Sequence, residues 1–293
     1  MIDAIIFGFF KNLFGTIRGR ILFRAILISG ILTGVILFII EENVSDDVFT
    51  GVLIGSFLFF ALLIRYAERT RILKKLAVSE EKRRYLLFGG LLIARNNERN
   101  TIFKLFKTPR RSARTLLSND WSIGNAIQAR GTAQRLVDAE VHTPFADDVY
   151  HNLIKNGIFS PSPEDLANLE ESAARQIPRI NKGLAAYKKV LPALAKAGIT
   201  DEEIAGITTL AAWDYGRVAF IVRYSTHAGQ MTEEESWPYL QAAAEAATLL
   251  YTGWKQYVAA YVIGRAIAYG EVFHLGAKRF DEKSDYATVP FKG

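Results

Sequence analysis

Two long apolar runs dominate the hydrophobic pattern in the first quarter of the chain. Residues 21–40 carry a single charge, at Arg24, and residues 48–64 carry none. Because a helix rises about 1.5 Å per residue, about twenty apolar residues cross the roughly 30 Å hydrocarbon layer of a membrane. The second run is near the lower limit of that length, and Tyr66 behind it suits the membrane interface. The pattern predicts two transmembrane helices within residues 21–66.

Charged residues are placed asymmetrically around these runs. The connection is acidic and contains Glu41, Glu42, Asp46 and Asp47. Basic residues flank the pair on both sides: Lys11, Arg18 and Arg20 precede it, and Arg65, Arg69, Arg71, Lys74 and Lys75 follow it. Since basic flanks stay in the cytoplasm, both termini are predicted to be cytoplasmic. A cleaved signal peptide is disfavoured because acidic rather than small residues follow the first run. Burial of the pair in a soluble core is disfavoured by the same charge asymmetry.

Three further segments complete the predicted organisation. Residues 1–20 are apolar but too short to span, which is typical of an interfacial amphipathic segment in the inner leaflet. Residues 67–84 alternate charged and apolar positions and predict a juxtamembrane linker helix. Residues 85–293 form the predicted cytoplasmic domain, which opens with the apolar run 85–94, interpreted as one core helix.

Helix start and stop signals recur through this domain. A Ser or Thr N-cap followed three residues later by a carboxylate satisfies backbone donors at a helix start. Thr200 with Glu203 and Thr232 with Glu235 match this pattern, and Ser162 opens another helix as an N-cap with Pro163 at the first position and Glu164 and Asp165 in the first turn. Gly229 is placed to end a helix that contains residues 213–226. The fold class is therefore predicted as all-α, with a two-helix transmembrane hairpin and a cytoplasmic domain of seven to nine helices.

The composition excludes several kinds of site. The formal net charge is +6, but much of the excess lies beside the apolar runs, so a lipid bilayer rather than nucleic acid is the expected partner. The chain has no cysteine, so disulfides, thiolate zinc sites and cysteine nucleophiles are absent. The histidines lack the spacing of a helical zinc site; they are His142, His151, His227 and His274. Neither a glycine-rich phosphate loop nor a serine elbow is present, and we predict no metal and no cofactor.

A second basic cluster precedes most of the helical region. It consists of Lys104, Lys107, Arg110, Arg111 and Arg114, with Pro109 interrupting any helix there. Each such charge contributes about 1 kcal/mol of attraction to an anionic lipid surface, so the cluster is a candidate for holding the domain against the membrane. The alternative is a solvated loop.

Aromatic, arginine and carboxylate residues recur at helical spacing between positions 211 and 265. The candidate site residues are Trp213, Asp214, Arg217, Tyr224, Glu235, Trp254, Tyr261 and Arg265. Arg217 shares a helical face with aromatic residues and lies three residues after Asp214. An arginine buried among aromatic rings needs a carboxylate partner, and Asp214 and Glu235 are the candidates.

Two interpretations of these residues are open. In the first, Asp214, Arg217 and Arg265 form a buried network that fixes helix register, and Glu235 only completes a capping box. In the second, the arginines line a pocket for an anionic ligand. The first is favoured, because spacing and aromatic burial explain the residues without a ligand.

Several of the same residues carry a family resemblance. They are Trp213, Asp214, Arg217, Arg223, Tyr224, Gly229, Glu233, Glu234, Glu235, Ser236, Trp237, Gly253, Trp254, Tyr257, Tyr261, Gly264 and Arg265, with a weaker upstream part at residues 96–100, Leu117, Trp121 and Ile123. In this pattern the chain resembles bacterial domain-of-unknown-function family 1266, the YbeU/YbeR-like proteins, over residues 85–275. It departs from that pattern at Val141, where the family often has glycine before the histidine, so a site role for His142 is not carried over. The resemblance implies a bacterial origin and a helical domain, and no activity.

The expected function is that of a binding or interaction module at the surface of the bacterial inner membrane, with a protein partner. The alternative is a membrane-surface enzyme acting on lipid headgroups or nucleotides, or a factor in competition between bacteria. An enzyme should have a polar cavity around Asp214 or Glu235 with perturbed pKa values, and a binding module an exposed apolar patch.

Overall fold

The computed structural model describes residues 16–40, 46–96, 98–273, 280 and 284–292, whose regular secondary structure is helical. The α-helices are, in order, α1 (Ile17–Ile40), α2 (Asp46–Leu76), α3 (Glu80–Phe88), α4 (Gly90–Arg95), α5 (Arg110–Trp121), α6 (Ala126–Val137), α7 (Thr143–Val149), α8 (Pro163–Ala167), α9 (Glu171–Ala174), α10 (Ile177–Lys196), α11 (Asp201–Ala205), α12 (Ala212–Ala228), α13 (Glu233–Leu250), α14 (Trp254–Tyr269) and α15 (Asp285–Thr288). A π-helical turn, Tyr150–Ile154, continues α7. The predicted all-α class is confirmed for this part of the chain.

Helices α1 and α2 pack against each other as an antiparallel pair. The Ser29 hydroxyl donates to the carbonyl of Phe57 at 2.6 Å, and Arg24 lies 3.7 Å from the carboxylate of Glu68. Within the described ranges, one helix is long and apolar enough to cross a membrane, α1 over Gly19–Ile36. The predicted hairpin is therefore present as a helix pair with one candidate span. Most of the predicted interfacial segment, 1–15, and the connection 41–45 lie outside the described residues.

The centre of the domain is formed by α12 and α14. Residues 212–225 and 256–268 are all buried, so both helices are covered on every side. Helix α12 packs against α5, α6, α13 and α14, and α14 also packs against α10. Such helices have no solvent face, so the hydrogen bonds that their polar side chains form are made inside the domain.

The helix boundaries predicted near the start of the domain differ from the structure. The segment 67–84, predicted as one linker helix, is divided between α2 and α3, and the apolar run 85–94, predicted as one core helix, is divided at Gly89. A Cβ built on Gly89 would lie 2.2 Å from the Cβ of Ala219. The backbone of this junction is therefore in direct contact with α12, which a local pattern does not reveal.

The signals at the other helix ends are confirmed. Ser162, Thr200 and Thr232 each form a capping box, with Asp165, Glu203 and Glu235 as the reciprocal carboxylates. Gly229 ends α12 in the left-handed conformation, with φ of 83°. Thirteen α-helices are described beyond residue 79, more than the predicted seven to nine, because five of them are short segments of four to six residues.

Two contacts attach the helix pair and the described segment 284–292 to the domain. Ile102 and Phe106 of the loop between α4 and α5 form a small apolar cluster with Ile21 of α1. At the other end, the indole Nε1 of Trp254 donates to the carbonyl of Val289 at 2.7 Å. The helix pair is thus packed on one side of the domain through the loop that precedes α5.

Candidate functional site

Asp214 is the fully buried centre of the candidate site and lies in the first turn of α12. Its Oδ2 accepts hydrogen bonds from the backbone N–H groups of Val141, His142 and Thr143 at 3.2, 3.0 and 3.1 Å. The Thr143 hydroxyl donates to the same oxygen at 2.9 Å. Arg217 pairs with the other oxygen, Oδ1. Because both oxygens are engaged, the carboxylate connects the turn before α7 to α12.

The guanidinium of Arg217 lies between two indoles. Its Cζ is 4.7 Å from the ring centroid of Trp213 and 5.2 Å from that of Trp121, within cation–π range. Its Nε donates to the Trp213 carbonyl at 3.3 Å. Stacking and the Asp214 pair together offset the burial of the charge.

A second arginine contacts the same indole from α14. The Cζ of Arg265 is 5.1 Å from the ring centroid of Trp213, and its guanidinium pairs with Glu271. Tyr261, one turn earlier on α14, meets Trp213 edge-on at 5.0 Å between ring centroids. Trp213 is therefore the common neighbour of two arginines and a tyrosine, which we call the Trp213 cluster (Trp213, Arg217, Tyr261 and Arg265).

Each member of the Trp213 cluster has a buried polar atom without a hydrogen-bond partner in the described part of the chain. The atoms are Trp213 Nε1, Arg217 Nη1, Tyr261 OH and Arg265 Nε. The two guanidinium nitrogens and the indole nitrogen are donors only, and the phenol can donate. Burial raises the pKa of Tyr261, so its hydroxyl keeps its proton at neutral pH. The cluster can therefore donate to an acceptor such as water or a small anion.

His142 lies beside this cluster. Its Nε2 is 2.6 Å from the hydroxyl of Tyr269, and the two rings are 5.1 Å apart. Burial, and next the positive charge of Arg217, lower the pKa of His142 from 6.5 to about 4. The ring is therefore neutral at pH 7. Tyr269, which is 46% exposed, forms the solvent-facing edge of the site.

Three predicted residues lie away from the cluster. Glu235 is exposed at the start of α13, where it accepts from the Thr232 N–H at 2.7 Å and pairs with Arg130 at 3.0 Å. The Thr232 N–H is the first cause of its lowered pKa. Tyr224, about two turns after Arg217 on α12, stacks on Phe220. Trp254 packs against Tyr286 and Phe291 of the C-terminal segment. Of the two candidate partners for Arg217, Asp214 is the observed one.

Sequence spacing missed the residues that come from other elements. Trp121, His142, Tyr269 and Glu271 each contact a member of the site but lie outside the predicted set. The donors to Asp214 are mainly backbone N–H groups, which every sequence contains. His142 was set aside because the family pattern departs at Val141, and the structure places both of their N–H groups on Asp214.

The members of the predicted basic cluster differ in their contacts with the domain. Arg110 and Arg114 donate through Nε to the Ala228 carbonyl at 3.2 and 2.9 Å, at the carbonyl end of α12 where cations are favourable. Lys104, Lys107 and Arg111 are exposed. No group of three or more metal-ligating side chains is found among the described residues.

Comparison with known proteins gives one match. A family model described as Protein of unknown function (DUF1266) matches residues 116–286. The match confirms the predicted family resemblance, although it begins later than residue 85 and ends later than residue 275, and it includes the whole Trp213 cluster. No curated protein and no solved structure matches the chain significantly.

Proposed function

The chain belongs to the DUF1266 family of proteins of unknown function, and from that premise we propose that it is a membrane-anchored binding protein. In this proposal the α1–α2 pair inserts into the inner membrane of a bacterium and holds the helical domain at the cytoplasmic surface. The family match, at residues 116–286, lies within the helical domain, and the proposed anchor precedes it.

Exposed apolar side chains on the helix pair carry the proposal. Thirteen of the eighteen large apolar side chains exposed in the described residues belong to α1 and α2, among them Leu27, Ile31, Phe59 and Leu62, each more than half exposed. A core helix of a soluble protein would be mostly buried, whereas the candidate span Gly19–Ile36 is 28% buried. An uncovered apolar surface on two packed helices fits hydrocarbon rather than water.

We propose that α2 crosses the membrane beside α1. The apolar run 48–64 is adjacent to α1 in the pair, and the Ser29 hydroxyl donates to a carbonyl of α2 rather than facing lipid. Basic residues on both flanks support two cytoplasmic termini. The acidic residues at 41–47 would then face outward.

Binding rather than catalysis is the proposed role of the domain. Asp214 has both oxygens engaged, and Glu235 lies in an exposed capping box, so neither stands ready as a general base. The domain exposes a few large apolar side chains, of which Leu249 at 87% and Ile127 at 77% are the most open. We propose that the domain binds a protein partner, and no nucleic acid.

The four donors of the Trp213 cluster favour a second candidate function. Two guanidinium groups, an indole and a phenol beside neutral His142 suit a small anion, and a pKa perturbed by burial is a feature of functional sites. This candidate is an enzyme or receptor for a headgroup or nucleotide phosphate. Recovery of a small anion with the purified protein, lost in Arg265→Gln, would favour it over a protein-binding module.

Membrane extraction and topology reporters test the main proposal. The full chain should stay in the membrane fraction after washing at alkaline pH. A reporter that is active only outside the cytoplasm should be inactive at the C-terminus and active when inserted after residue 43, which serves as the matched control. Release by the wash, or activity of the C-terminal fusion, contradicts the proposed anchoring.

A further inference from the structure

A basic cavity lies between the helix pair and the domain. Its volume is about 370 Å³, and its lining includes Arg65 and Arg69 of α2 together with Glu98, Arg99, Phe106 and Lys107 of the loop before α5. All of these residues precede the family match at 116–286. No member of the Trp213 cluster lines the cavity, which is therefore a different site.

The cations around this cavity have no carboxylate partner in the described ranges. None of Arg65, Arg69, Arg99 and Lys107 belongs to an ion pair there. Glu98 is buried and faces its own loop: it accepts from the N–H groups of Phe106, Lys107 and Thr108 at 2.5, 2.9 and 2.6 Å. Four cations and one anion leave a local charge of 4 − 1 = +3.

The loop that supplies Arg99 and Lys107 is fixed from the domain side. The buried guanidinium of Arg223 donates to the carbonyls of Arg99, Ile102 and Phe103 at 2.8, 2.9 and 2.8 Å. The Cζ of Arg99 lies 5.3 Å from the ring centroid of Phe106. These contacts fix the loop backbone and the Arg99 side chain before any ligand arrives, which lowers the entropy lost on binding.

Electrostatic repulsion inside the cavity favours an anion. Burial, and next the positive charge of Arg69, lower the pKa of Arg99. The two guanidinium groups therefore repel each other. An anion between them would relieve this repulsion. Arginine presents a planar fork that matches the oxygens of a phosphate group.

The position along the helices indicates where the anion comes from. Arg65 directly follows the apolar run 48–64, and Ile21, which also lines the cavity, begins the first run. If the pair spans a membrane, the cavity lies at the level of the cytoplasmic headgroups. We propose that Arg65, Arg69, Arg99 and Lys107 bind the phosphate of an anionic phospholipid in this cavity. This proposal rests on the membrane anchoring proposed above.

Thermal unfolding of the full chain in an uncharged detergent tests the proposal. The ligands compared are phosphatidylglycerol, zwitterionic phosphatidylcholine and inorganic phosphate. Phosphatidylglycerol should raise the melting temperature of the wild type, and its apparent affinity should fall about fivefold for each arginine removed, as in Arg99→Gln and Arg69→Gln. Lys74→Gln removes the same charge from an exposed position of α2 and should bind like the wild type. If one of the arginine variants does not fold, Lys107→Gln, at an exposed position of the cavity lining, is measured in its place.

Three results would contradict the proposal in whole or in part. Equal affinity of phosphatidylglycerol for the wild type and all cavity variants overturns the site. Equal stabilisation by inorganic phosphate, lost in Arg99→Gln, keeps the phosphate site and overturns the lipid as its source. Release from membranes by the alkaline wash contradicts the anchor, whereas Arg99-dependent stabilisation by phosphate in the same preparation would leave the phosphate site standing.

Discussion

Arg217 and Asp214 form an ion pair within one helix, with side chains that are 2% and 0% exposed. The pair has no contact with bulk water, so its desolvation must be offset inside the protein. Four hydrogen bonds from residues 141–143 to Asp214, and two indoles around Arg217, provide the compensation. This arrangement is what the structural interpretation of these residues requires, and it can be tested by removing one partner.

Arg217→Ala should destabilise the domain strongly. The change leaves the Asp214 charge buried without its cation, which costs about 3–5 kcal/mol in the free energy of unfolding. Chemical denaturation, monitored by circular dichroism, measures this loss. The matched control is Arg130→Ala, which breaks the exposed pair with Glu235 and should cost at most about 1 kcal/mol.

The opposite result for Arg217→Ala would change the assignment of the site. If the variant unfolds like the wild type and yet loses a bound anion or partner, the pocket interpretation replaces the structural one.

Gly89→Ala should also destabilise the fold, through overpacking. The added Cβ would lie 2.2 Å from the Cβ of Ala219 and 3.0 Å from the carbonyl oxygen of Gly216, and α12 offers no flexible side chain to move aside. Such overpacking costs about 1–3 kcal/mol. Gly131→Ala is the control: it lies within α6 with nothing within 4 Å of the new Cβ and should stabilise by about 0.5–1 kcal/mol. Equal melting temperatures for the two variants would contradict the close contact at Gly89.

His142 should make the domain less stable at mildly acidic pH. Its pKa is about 4 in the fold and 6.5 in the unfolded chain, so between these values the unfolded state binds more protons and the free energy of unfolding rises with pH. One proton corresponds to at most about 1.4 kcal/mol per pH unit, and less here because the ring is only partly buried.

Comparison of two histidine variants checks this pH dependence. Burial also lowers the pKa of His227, so the wild type contains two contributions of the same sign. His142→Asn should reduce the slope of stability between pH 4 and 6.5, and His227→Asn should retain the His142 contribution. An unchanged slope in His142→Asn would show that its imidazole is not shielded in the folded protein.

A chain beginning at Val78 should fold without the helix pair. It retains Ser79, whose side chain accepts from the Lys82 N–H to cap α3, and among the described residues the apolar cluster that it opens is the small one around Ile102 and Phe106. Circular dichroism should report a helical protein that elutes as a compact species in the absence of detergent. Aggregation in every buffer, or a strand-like spectrum, would contradict an independent domain.

Helix ends and the long apolar helix α1 were features that could be predicted without a structure. The capping boxes at Thr200 and Thr232 and the end of α12 at Gly229 depend on residues within four positions of each other. Apolar run length likewise is a local property. By contrast, the close contact of Gly89 is with Ala219, which lies 130 residues away along the chain, so no local pattern predicts it.

The sequence by itself determined the helical class, the family and the presence of an arginine–aromatic group with Asp214, because periodicity and short-range pairs are recorded in local order. Tertiary structure alone decided that Glu271 pairs with Arg265 and that backbone N–H groups of residues 141–143 satisfy Asp214. It also decided that Arg99 faces Arg69 across a cavity. These contacts are made where separate elements pack, and the free energy that selects them comes from burying whole helices against one another rather than from any short stretch of chain.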